Sequence, residues 1–175
     1  MRLFLVIISL VLAAGLNLVY RSYQKGAYFT DRIFKLQCPK KKGIPCYGAV
    51  DLDVSPNNVV GFISMGILEE LAKEEENAIR ATLSDPAKKG RFGMIKLVEV
   101  SETVRGKGIG TRLLQYSIEQ GRKTSDILAL ALQVDDGNAG AIKLYKRSGF
   151  VEVLHKYSLE HDLFSLFYER LQKDR

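Results

Sequence analysis

Hydrophobic and polar positions change rhythm several times along the chain. The runs Tyr47–Val54 ("YGAVDLDV") and Val59–Ile67 ("VVGFISMGI") are rich in β-forming residues, and Ser55–Asn58 ("SPNN") between them consists of turn formers. Together they predict a β-hairpin. From Leu68 to Leu83 the apolar residues Leu68, Leu71, Ala72, Ala78, Ile79 and Leu83 recur at helical spacing with an acidic outer face, which predicts a surface helix inserted between strands. Ser84–Gly93 reads as a polar, turn-rich loop. A strand follows at Met94–Val100, then a glycine-rich turn and a helix over Thr111–Gln120 stopped by Gly121. The nearly unbroken apolar run Ile127–Val134 is that of a strand covered on both faces. Asn138–Ser148 reads as a helix stopped by Gly149, and the closing runs 150–158 and 162–171 read as strands. The order after the hairpin is helix, strand, helix, strand, helix, strand, strand, a mixed α/β layer fold without internal repeats.

The first residues follow no such rhythm. From Leu3 to Tyr20 there is no charge, and as a helix this run would span roughly 27 Å, just short of a hydrocarbon core. Three accounts are open: a membrane anchor, a targeting signal with small residues Ala13, Ala14 and Gly15 near a cleavage site, or a buried helix. The division expected is an apolar anchor or signal at 1–22 and one folded domain at 23–175. Basic residues stand mostly behind the run, so an anchor would leave the body on the cytosolic side. The alternative is an organelle reached through the targeting signal.

The net charge of +6 invites a nucleic-acid reading, but residues 1–48 hold eight Lys and Arg against the single acid Asp31. The rest of the chain is nearly neutral, which argues against nucleic acid as a partner. Cys38 and Cys46 have no His or further Cys to form a metal site with, so no metal is expected. Two free thiols suit a cytosolic body, and a disulfide suits the signal reading.

The chemistry concentrates at "VRGKGIGTRLLQ", Val104–Gln115. A strand running into Gly106, Gly108 and Gly110, with a helix directly behind, leaves backbone N–H groups pointing into one concave space. Such a nest at a helix N-terminus suits phosphate oxygens, and Arg105 and Lys107 add positive charge at its mouth. There is no Gly-Lys-Ser/Thr triplet of a Walker loop and no dinucleotide fingerprint. The pattern R-x-x-G-x-G, read from Arg105 to Gly110, resembles the pyrophosphate loop of the GNAT superfamily of acyl-CoA N-acyltransferases. The stretch Leu132–Phe150 is similar to that superfamily's second signature at Asn138, Ala141, Leu144, Tyr145, Gly149 and Phe150.

The resemblance covers roughly Tyr47 to Leu171 and implies a mixed, mostly antiparallel central sheet flanked by helices and splayed at the acetyl-CoA site. It implies acetyl-CoA as co-substrate and transfer of its acetyl group to a primary amine. Arg105, Gly106, Lys107, Gly108, Ile109, Gly110 and Thr111 would hold the pyrophosphate. The amide of Val100 would hold the thioester carbonyl, Asn138 would lie beside the pantetheine arm, and Tyr145 would protonate the departing thiolate. Asn138 also suits a helix N-cap and Tyr145 a core aromatic.

The general base is not fixed by the pattern. Family positions that carry a tyrosine, glutamate or histidine hold Met94 and Gln133 here, neither of which takes a proton at neutral pH. Glu99 and Glu102, near the same strand end, could act through water; His155 or water itself are further choices. The missing base motivates an alternative, a non-catalytic acyl-CoA-binding or partner-binding module. The acceptor is open among protein N-termini, lysines and small amines. The layout of Tyr28–Leu36, the hairpin and the insertion resembles the membrane-associated protein N-terminal acetyltransferases.

Overall fold

The computed structural model describes residues 15–68, 70–156 and the backbone of 164–170. Its strands are β1 (Leu18–Ser22), β2 (Tyr47–Asp51), β3 (Val59–Leu68), β4 (Arg91–Val100), β5 (Ile127–Asp135), β6 (Val151–Lys156) and β7 (Phe164–Arg170). They form one sheet in the order β1-β2-β3-β4-β5-β7-β6. Every neighbouring pair is antiparallel except β4 and β5, which run parallel. The helices are α1 (Arg32–Gln37), α2 (Lys73–Arg80), α3 (Ile109–Lys123) and α4 (Ala139–Arg147).

Strand alternation sorts these helices by face. On one face α3 presents Ile109, Leu113, Leu114 and Ile118, an apolar stripe at helical spacing, to Ile63, Met65, Ile95, Leu130 and Leu132 of the sheet; Tyr145 and Phe150 bring α4 into the same core. Burying each such large side chain contributes about 1.5–3 kcal/mol. On the other face Ile79 of α2 packs on Phe92, Leu128, Ala129 and Ala131. Phe34 of α1 packs there too, against Phe29 and Phe62.

The predicted elements appear with shifted ends. The inserted helix is only Lys73–Arg80, because Leu68 belongs to β3 and the Thr82 hydroxyl caps the Ile79 carbonyl. β4 starts at Arg91 rather than Met94. Helix α3 runs through Gly121, which is buried, and ends at Thr124, whose hydroxyl donates to the Gln120 carbonyl.

The expected division at residue 22 moves. Leu18–Ser22 pairs with Tyr47–Asp51, and Leu16, Leu18 and Tyr20 pack against the α3 core while Asn17 and Val19 face out. This period-two alternation is that of an edge strand, so the apolar helix expected over Leu3–Tyr20 does not reach Tyr20. Residues 1–14 lie outside the described residues, and among the described ones no helix is long and apolar enough to cross a membrane. The closing strand expected over 162–171 is β7, described as backbone at 164–170.

Cys38 and Cys46 form a disulfide, with their Cα atoms 5.5 Å apart. Of the two states left open for these cysteines, the disulfide is the one present. The bond ties the end of α1 to the start of β2 inside the cluster around Phe34 and Phe62.

One feature of the sheet positions the chemistry. β4 and β5 pair only from Arg91↔Ile127 to Ile95↔Leu132, although β4 continues to Val100 and β5 to Asp135. On its other edge β4 stays paired with β3 to Val100, past a bulge that leaves Lys96 unopposed. The two parallel strands thus part into a wedge between Leu97–Val100 and Gln133–Asp135.

Candidate active site

The bulge at Lys96 sets the phase of the backbone along the wedge. Ser101 N–H donates to the Val60 carbonyl at 2.8 Å, so that pair is hydrogen-bonded and the next, Gly61↔Val100, is not. By the alternation of an antiparallel ladder, the N–H groups of Val98 and Val100 point away from β3, into the wedge. Two backbone donors therefore line one bank. The Val100 carbonyl is held by Arg105 Nε at 3.1 Å, which fixes the turn that follows.

That turn carries the glycines. Gly106 and Gly108 both have φ +79°, a left-handed conformation that an L side chain adopts only at a cost. A Cβ built on either would meet nothing within 4 Å, so there is free space beside both glycines. The helix ladder of α3 begins with Arg112 N–H to the Gly108 carbonyl at 3.1 Å. The amides of Ile109, Gly110 and Thr111 consequently have no partner within the helix and add their dipole to the loop. Gly110 serves packing: a Cβ there would come within 2.9 Å of Leu144. The Ile109 side chain is buried in the core, so only its amide faces the loop. Lys107 and Thr111 are exposed. Arg105 forms an exposed ion pair with Glu102 at 3.5 Å.

Across the wedge, α4 holds Tyr145, 8% exposed, its ring 6.2 Å from that of Phe150. Burial, with the charge of Glu99 adding to it, pushes the phenol up to about 12, so it is an O–H donor at neutral pH. Glu99 is pushed above the ordinary carboxylate range, first by partial burial and then by the charge of Asp31, with Arg105 opposing. Asp31 caps α1 by accepting from the Phe34 amide at 3.4 Å. The structure thus brings Val100, Glu99, Tyr145 and the loop 105–110 to one place.

Asn138 is the N-cap of α4, its Oδ1 accepting from the Ala141 amide at 3.1 Å. His155 is engaged by Asp136, between β5 and α4. On the sheet it is opposite Ser165 of β7, so a strand separates it from β5. Met94 joins the apolar cluster beneath α2. The amide of Val98 is absent from the sequence reading, because a bulge carries no residue signature. Glu75 of α2 was also missed; it accepts a hydrogen bond from Gln133 at 2.8 Å, a contact between residues 58 positions apart.

The sequence profile of the Acetyltransferase (GNAT) family matches residues 16–150. The chain belongs to the GNAT acetyltransferase family. Among solved structures this GNAT domain is similar to NAA60 of Arabidopsis thaliana, crystallised with acetyl-CoA. The TM-score is 0.68 at 22% identity, covering 87% of this chain and 99% of that one. It is also similar to the NatC complex bound to Gag peptide and CoA (TM-score 0.62, 18% identity, 89% of this chain and 99% of that one). Ard1 from Thermoplasma volcanium matches with a TM-score of 0.60 at 17% identity over 89% of this chain and 99% of that one. At these identities the likeness is one of fold, and it includes the mixed, mostly antiparallel sheet flanked by helices. A search of curated protein sequences found no match.

Proposed function

We propose that this GNAT domain transfers the acetyl group of acetyl-CoA to a primary amine by direct attack, with the wedge between β4 and β5 as the reaction centre. The observation that carries the reading is the convergence there of the Val98 and Val100 amides, the Tyr145 phenol and the Glu99 carboxylate, next to an open left-handed glycine loop. The loop fits a pyrophosphate: free space lies beside Gly106 and Gly108, and the amides that open α3 have no partner within the helix. Acetyl-CoA supplies an activated acyl group. The two valine amides stabilise charge growing on the thioester oxygen. As the C–N bond forms and the C–S bond breaks, Glu99 takes the amine proton, directly or through water, and Tyr145 donates to the departing sulfur. Solvent then restores both groups.

Glu99 and Tyr145 are coupled in the required sense. While ionised, Glu99 raises the Tyr145 pKa; once it has taken the amine proton, that charge is gone and the phenol releases its own more readily. NatC, which shares the fold, was crystallised with a bound peptide, and by analogy the acceptor proposed for this chain is an amine carried by a peptide, with the α-amine as the form to test first. The alternative, a non-catalytic binding module, would need no phenol at the sulfur.

Two variants test the assignment together. Tyr145→Phe is expected to lower kcat roughly 100-fold, the lower end of what general acid catalysis contributes, with CoA affinity kept. Gly108→Val, at φ +79°, is expected to lose CoA binding. Unchanged turnover in Tyr145→Phe would remove its role as the acid, and unchanged CoA affinity in Gly108→Val would remove the loop from the cofactor site.

A further inference from the structure

The loop 105–110 and Tyr145 lie on the α3 and α4 face of the sheet, so the donor occupies that side of the wedge. An acceptor amine must reach the thioester from the opposite face, which α1 and α2 cover. On the β4 bank that face presents Glu99. On the β5 bank, the first residue beyond the last β4 pairing at Leu132 is Gln133, and its side chain turns to the α2 face. There Gln133 Nε2 donates to Glu75 Oε1 at 2.8 Å.

Glu75 is 5% exposed, one of few charged side chains buried among the described residues. An ionised carboxylate only accepts hydrogen bonds, so it fixes the amide of Gln133 with its NH₂ toward α2 and its carbonyl oxygen turned away. The same contact polarises that amide and makes its oxygen a stronger acceptor. Lys156 Nζ of β6 approaches Glu75 Oε1 at 3.3 Å and Glu74 Oε2 at 3.4 Å, and so offsets part of the negative charge.

We propose that Gln133, oriented and polarised by Glu75, is the acceptor-binding group of the β5 bank, its carbonyl oxygen receiving an N–H of the incoming amine. Gln133 touches the substrate; Glu75 is a positioning residue acting through it. The proposal rests on the acetyltransferase reading above and adds the residues that recognise the amine. It also gives Lys156 a definite sign: as a positive charge beside Glu75, it weakens amine binding.

The test is steady-state thiol release by the full chain. The acceptor is a ten-residue peptide with a free α-amine and a single lysine. Glu75→Gln keeps the shape and a hydrogen-bonding partner for Gln133 but removes the charge. It is expected to raise the peptide KM about tenfold, with the acetyl-CoA KM within twofold and the thermal midpoint nearly unchanged. Lys156→Met is expected to lower the peptide KM about threefold. A merely structural tie between α2 and the sheet predicts that both variants weaken binding alike. That result, or a peptide KM within twofold of wild type in Glu75→Gln, would overturn the proposal while wild-type turnover left the enzymatic reading intact. Acetyl-CoA binding without wild-type turnover would overturn both.

Discussion

Tyr145 shows what a single residue contributes to both stability and chemistry. Its folded pKa of about 12 exceeds the unfolded value near 10, so the neutral phenol stabilises the fold. That contribution is complete below pH 10 and is lost as pH rises toward 12, a change on the order of 3 kcal/mol. Chemical denaturation at pH 9 and at pH 11.5 is expected to show a loss of stability in wild type that Tyr145→Phe shows to a lesser degree. Equal losses in both would mean that the phenol is not held neutral by the fold. The sequence pointed to Tyr145 through its place in a motif, and to Glu99 only by its position near a strand end. The Asp31 charge that helps to raise Glu99 comes from a helix cap 68 positions away in sequence, and no local pattern announces such a neighbour.

At the scale of elements, the legible parts were those with strong local signals: the hairpin around "SPNN", the glycine turn before α3, and the Asn138 cap of α4. β1 was hidden, because its alternation is embedded in an uninterrupted apolar run where Val19 faces out as readily as Leu18 faces in. The bulge at Lys96 was hidden for the opposite reason, since it is imposed by pairing with β3. The disulfide belongs to this scale too. It closes a loop across a separation of 8 residues, for which the chain-entropy account gives about 2.5 kcal/mol. Reduction, or Cys46→Ser, is expected to lower the denaturant midpoint by about that stability and to loosen α1, which carries Asp31. A midpoint insensitive to reductant would show that the packing of Phe29, Phe34 and Phe62 holds this corner unaided.

For the whole molecule, the sheet has two working sides. The α3 and α4 face carries the glycine loop and Tyr145, the α1 and α2 face carries Glu99 and Glu75, and the parting of β4 from β5 joins them. Such a division suits a reaction in which donor and acceptor must meet without exchanging places. The topology was legible as an order of elements, and the family from the spacing of two motifs. Which residues line the two banks of the wedge followed only from strand register.

Whether this wedge acetylates an amine is read from acetyl-CoA turnover. Free thiol release should be followed for the full chain with the free-α-amine peptide and with its Nα-acetylated counterpart, which retains the lysine. Turnover is expected on the free peptide, with little on the blocked one and a mass increase of one acetyl group at the α-amine. Tight CoA binding with no thiol release on either peptide, or on a polyamine, would contradict acetyl transfer and leave a binding module on an acetyltransferase fold.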